Sequence, residues 1–168
     1  LMLFYISLMQ YSDKINLTKA EIQQNKKLIA KLKKTNPRKV DGLFHDLHDE
    51  VFEEIDCLKC ANCCKTTSPL FRDKDISRLA KHLRLKDVDF IEQYLKIDSD
   101  GDYVFKSAPC PFLMDDNNCS VYEYRPNACR DYPHTDRKKV QQLLHLSLKN
   151  TEICPAVADI FKKINLTI

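Results

Sequence analysis

Glycine is nearly absent: the chain has two in 168 residues. Few left-handed backbone positions are therefore available, which argues against a sandwich or barrel of many tight turns. It also leaves no Gly-rich loop of the G-x-G type for a nucleotide-like ligand. No cysteine precedes Cys57. The longest apolar stretch, Leu1 to Met9, is far short of the roughly 20 residues a membrane helix needs. It lacks the basic start and small-residue cleavage site of a secretory signal, so it is read as a docking segment or N-terminal extension. The H-E-x-x-H order of zinc proteases is missing from the histidines at 45 and 48. A calcium loop starting at Asp98 would need Gly sixth and Glu twelfth, where Tyr103 and Pro109 stand. The net charge of +3 is too small to name a nucleic-acid partner.

Cysteine is what the chain does have. Four thiols fall in eight residues, Cys57-Leu58-Lys59-Cys60-Ala61-Asn62-Cys63-Cys64, and Cys110, Cys119, Cys129 and Cys154 follow. Two cysteines three apart can aim both sulfurs at one ion, as in zinc knuckles. Three at i, i+3 and i+6 suit an iron–sulfur cluster closed by a distant fourth. A disulfide framework belongs more naturally to short secreted chains than to a lysine-rich, helix-rich one. A redox C-x-x-C pair lacks a surrounding βαβ pattern. The eight cysteines are therefore the candidate metal ligands, and zinc and iron both remain open. A knuckle alone leaves a metal under-coordinated, so the downstream four are expected to meet the first four in space. Arg125 and Arg130 stand close to the later thiols, where guanidinium groups can offset surplus negative charge and support the ligands.

The remaining pattern is helical. Thr18 caps a helix over residues 17–34 carrying Ile22, Leu28, Ile29 and Leu32. Its lysines raise a nucleic-acid module as a hypothesis, with a solvated basic face as the commoner outcome. Pro37 is expected to stop that helix. Residues 40–56 give the best 3.6-residue period, with Val40, Leu43, Phe44, Leu47, Val51 and Ile55 on one stripe. Residues 73–83 and 86–95 form a helical hairpin. Asp100-Gly101 reads as a turn into a short strand at 103–105. A second turn at 115–118 joins two strands bearing Cys110 and Cys119. A helical turn carries Cys129, a helix covers 135–149, and Pro155 opens a last helix whose dipole favours the Cys154 thiolate. The expected fold is mainly α, with one small antiparallel β-hairpin near 103–122 and helices around a cysteine-rich metal centre. The expected division is 1–39 as N-terminal extension and basic helix, and 40–168 as the cysteine-cluster metal-binding domain.

The run Cys57 to Cys64, with Cys110-Pro111-Phe112-Leu113, Cys119-Ser120-Val121-Tyr122-Glu123, Arg125-Pro126, Cys129-Arg130 and Tyr132-Pro133, resembles the cysteine-cluster (CxxCxxCC, YkgJ-like) family of zinc- or iron-chelating proteins. The resemblance covers about residues 50–160 and all eight cysteines. It implies a bacterial, cytoplasmic protein binding zinc or iron, the latter as a four-iron, four-sulfur cluster in one version, with a protein partner not identified. Flagellin lysine N-methylases are similar in part. That opens the alternative of an iron–sulfur-dependent methylase-like or redox enzyme, with Tyr122, Arg130, Tyr132, His134 and Asp136 as a polar patch.

Overall fold

The computed structural model describes residues 11–167; the apolar run Leu1 to Met9, read above as a docking segment or N-terminal extension, lies outside them. Nine α-helices and a two-stranded antiparallel sheet make up the described chain, so the fold is mainly α with a small β-hairpin. No helix among the described residues is long and apolar enough to cross a membrane. The chain divides into two compact units, Leu1–Cys60 with Pro133–Ile168, and Ala61–Tyr132.

In the first unit, α1 (Lys19–Leu32) starts at a capping box. The Thr18 hydroxyl accepts from the Glu21 amide, and the Glu21 carboxylate accepts from the Thr18 amide. Asn36 then caps α2 (Pro37–Glu54). Helix α1 already ends at Leu32, short of Pro37, and Pro37 instead opens the next helix at its first position, where its missing N–H costs nothing. The apolar stripe of α2 reaches the core through Val40, Phe44, Val51 and Ile55, with Leu43 and Leu47 packed beside it. Leu28, Ile29 and Leu32 of α1 share that core with Val140, Leu144 and α9 (Pro155–Thr167), and Phe44 meets Phe161 edge to face at 6.1 Å. The basic helix is thus part of the main core.

The helix expected over 135–149 is shorter. A 3-10 turn (Val140–Leu143) leads into α8 (Leu144–Asn150). The residues before it are six polar side chains in a row, and Lys139 has φ 61°. The Asp41 carboxylate on α2 accepts from the Lys139 and Val140 amides at 2.8 and 2.9 Å and fixes where the turn begins.

In the second unit, α5 (Asp73–His82) and α6 (Asp87–Tyr94) form the expected helical hairpin. The sheet lies earlier than expected: β1 (Leu95–Ile97) pairs with β2 (Tyr103–Phe105), Leu95 opposite Phe105. Gly101 (φ 85°) sits in the turn, where the Asp98 carboxylate accepts from the Asp100 and Asp102 amides. The second pairing expected, around Cys110 and Cys119, is reduced to one bridge, Leu113 with Cys119, because the chain turns into a 3-10 turn (Tyr122–Tyr124) directly afterwards. Phe71, Phe90, Phe105 and Phe112 fill this unit's own core.

Candidate metal centre

The stretch that carries the first four thiols is two short helices, α3 (Cys57–Cys60) and α4 (Asn62–Thr66). The Asp56 side chain starts α3 by accepting from the Leu58 amide at 2.9 Å. Ala61 separates the two helices with φ 47° and ψ 19°, a left-handed conformation that disfavours residues with a Cβ. Cys57 and Cys60 therefore belong to the first unit, and Cys63 and Cys64 to the second.

Five of the predicted ligands, Cys63, Cys64, Cys110, Cys119 and Cys129, lie in Ala61–Tyr132, and Cys64, Cys110 and Cys119 are linked through the backbone. The Cys110 amide donates to the Cys64 carbonyl at 2.8 Å, and the Leu113 amide to the Cys110 carbonyl at 3.1 Å. Leu113 bridges to Cys119, and Cys110 and Cys119 both pack on the aromatic core. Cys129 sits in α7 (Asn127–Asp131). Burial pushes the Cys129 thiol up to about 12, and the Cys64, Cys110 and Cys119 sulfurs push the same way. Cys110 is raised to about 11, first by burial and then by Cys64 and Cys119. Cys119 is raised by burial and by Cys64, with Arg125 pulling the other way. Cys64 is held below the ordinary thiol range because Cys63 donates its S–H to it.

Cys57, Cys60 and Cys154 lie in the first unit. Cys154 stands immediately before α9, and its sulfur accepts from the Val157 and Ala156 amides. The helix start favours the thiolate, as expected, but burial outweighs it, and with the Cys57 and Cys60 sulfurs adding, the thiol is pushed up to about 12. All eight cysteines are among the described residues and none is joined to another by a disulfide. Among the described residues, no group of three or more Cys, His, Asp or Glu side chains is placed to hold a metal ion. The donor set nevertheless fits a thiophilic cation. Ionised sulfurs crowded in a low-dielectric setting repel one another, and a bound cation removes both that repulsion and the desolvation cost.

Both arginines hold the turn between Cys119 and Cys129. Arg125 donates to the Tyr122 carbonyl at 2.5 Å and lies 3.6 Å over the Tyr122 ring. Arg130 donates to the Glu123 carbonyl at 2.6 Å. Arg125 also lowers the pKa of Cys119 and Cys129 by its charge, in both cases less than burial raises it.

Two residues that support this segment escape sequence reasoning. Asp75 on α5 is almost fully buried, at 1% exposure. Its carboxylate accepts from Arg78 at 2.6 Å and from the Asn127 amide, the first of α7, at 3.1 Å. Arg78 in turn donates to the Tyr124 and Arg125 carbonyls. The sequence shows only an Asp and an Arg three apart on a helix, a spacing that usually marks a surface pair.

The histidines on α2 are occupied elsewhere in the first unit. His45 Nδ1 meets Asp136 at 2.6 Å, and His48 Nδ1 meets the Thr135 hydroxyl at 2.8 Å.

Residues 56–155 match the sequence pattern of a family described as "CxxCxxCC: Putative zinc- or iron-chelating domain". No curated protein and no solved structure matches the chain.

Proposed function

The chain belongs to the CxxCxxCC family of zinc- or iron-chelating domains, and from that premise we propose that it holds its metal through Cys57, Cys60, Cys63, Cys64, Cys110, Cys119, Cys129 and Cys154. The observation that carries the proposal is the gathering of Cys64, Cys110, Cys119 and Cys129 in one unit, close enough for the charge of one sulfur to raise the pKa of the next. Thiolate is the ligand class shared by zinc and iron–sulfur sites. Arg125 and Arg130 orient the turn that carries the later ligands, the role that groups behind the ligands play in metal sites. Thiols unbridged in every case suit a reducing compartment, and the cytoplasm is the setting this reading gives the protein.

When bound, zinc would supply a structural tether, and an iron–sulfur cluster would add an electron-transfer capacity. The chain's own part is to release thiol protons, gather the sulfurs and shield them from water. Protein purified without oxygen is expected to carry at least one equivalent of zinc or iron by elemental analysis. Less than one equivalent of total metal would overturn the proposal. A visible absorption band marks iron–sulfur, and colourless metal-loaded protein marks zinc.

A further inference from the structure

We infer that the sulfurs serve more than one metal position, and that one of these, made by Cys64, Cys110, Cys119 and Cys129, is complete within Ala61–Tyr132. The inference rests on the metal-binding reading above and goes beyond it by dividing the ligands.

Count and connectivity carry it. Four thiolates close a tetrahedral zinc site or anchor one iron–sulfur cluster without a fifth protein ligand. These four are all in one unit, and each is fixed by that unit's own bonds. The amide of Cys110 is on the carbonyl of Cys64, and Cys110 and Cys119 are joined through Leu113. Asp75 takes the amide of Asn127, two residues before Cys129, while Arg78 grips the two carbonyls just upstream. The segments bearing Cys110, Cys119 and Cys129 therefore form one hydrogen-bonded scaffold with α4 and α5.

Cys57, Cys60 and Cys154 are held by different means. Cys57 and Cys60 bracket α3, started by Asp56. The Cys154 amide donates to the Asn150 carbonyl at 2.8 Å, and Cys154 packs against the first unit's core. Cys63, whose S–H goes to Cys64, is assigned to neither set.

Cadmium is a spin-active stand-in for zinc on thiolates, and it reports its own ligands. Full-length metal-free protein is reconstituted with cadmium-113, and couplings from the metal to cysteine β-protons are recorded by NMR. One ion coupled to Cys64, Cys110, Cys119 and Cys129 together is the expected result. An ion that couples to any of these four and also to Cys57, Cys60 or Cys154 would overturn the division. Native mass spectrometry of Cys154→Ser and Cys129→Ser adds a second readout. Cys154→Ser is expected to keep the ion of the four, and Cys129→Ser to lose it while a metal on the other set remains. Loss of all metal from a folded Cys154→Ser variant would also overturn the division. Failure of wild-type protein to take up any cadmium would instead defeat the metal-binding reading, so the two failures are distinct.

Discussion

A hydrogen bond with Cys63, helped by the charge of Lys65, holds the Cys64 thiol at about 7, which sets it apart from Cys110, Cys119 and Cys129. Thiolate is the reactive form, while burial holds Cys110, Cys119 and Cys129 protonated. In metal-free, reduced protein near neutral pH, iodoacetamide is expected to modify Cys64 at least about tenfold faster than those three. Peptide mapping by mass spectrometry reads the order directly, and equal rates would contradict it. His45 and His48 offer a second residue-scale test. Asp136, by hydrogen bond and charge, raises His45 above 6.5, whereas burial lowers His48 below 6.5. A raised folded value means that the His45 pair adds stability below pH 6.5, and that this is lost as pH rises through the folded value. For His48 the sign reverses: a penalty grows as pH falls from 6.5 towards its lowered value. NMR titration should place the two histidines on opposite sides of 6.5. Asp136→Asn should bring His45 down and leave His48 the lower of the two.

At the scale of elements, the second unit hangs its late cysteines on α5 through one buried carboxylate. Asp75 satisfies Arg78, the Arg72 amide and the Asn127 amide at once. Asp75→Ala leaves a guanidinium and two amides short of an acceptor, and is expected to cost about 2–4 kcal/mol in urea unfolding. The same change should weaken metal held by Cys129 about 10- to 100-fold, the usual effect of losing a group that orients a ligand. An unchanged affinity would show that α7 is placed without it. In the first unit, Asp41→Ala should cost about 1–2 kcal/mol by freeing the Lys139 and Val140 amides, and Asp41→Asn should recover part of that. These ties also show what a sequence can and cannot reveal. Helices α1, α2, α5 and α6 are legible because their apolar periods and caps are local. The stretch before Val140 is not, because its backbone bonds go to Asp41, 98 residues away for Lys139. Leu95 reads as the end of a helix, and Leu95–Ile97 is a strand only through its pairing with Tyr103–Phe105. Asp75 is invisible for the same reason: its burial depends on Asn127, 52 residues on.

Across the whole molecule, the eight thiols and their partition have different origins. The thiols themselves are legible from spacing alone, since C-x-x-C-x-x-C-C is a local pattern. Which of them share a unit is decided by Ala61, whose left-handed turn ends α3 and starts α4, and by a chain that returns to the first unit at Pro133. Neither can be read from cysteine spacing. The partition has an energetic consequence. The first unit's core draws on α1, α2, α8 and α9 and buries Phe44, Phe161, Ile160 and Ile164 completely, so it has apolar packing to spare without an ion. The second unit is 72 residues long (132 − 61 + 1), a size at which a core alone supplies only a few kcal/mol. Its shortest helices, α4 and α7, carry Cys64 and Cys129. A ligand at a thousand times its Kd stabilises the folded state by about 4 kcal/mol, comparable to that core. Chelation should therefore strip hydrogen-exchange protection from α4, residues 110–119 and α7, while amides of α2 and α9 stay protected. Uniform loss across both units on metal removal would show that the ion supports the whole chain and that the first core is not self-sufficient.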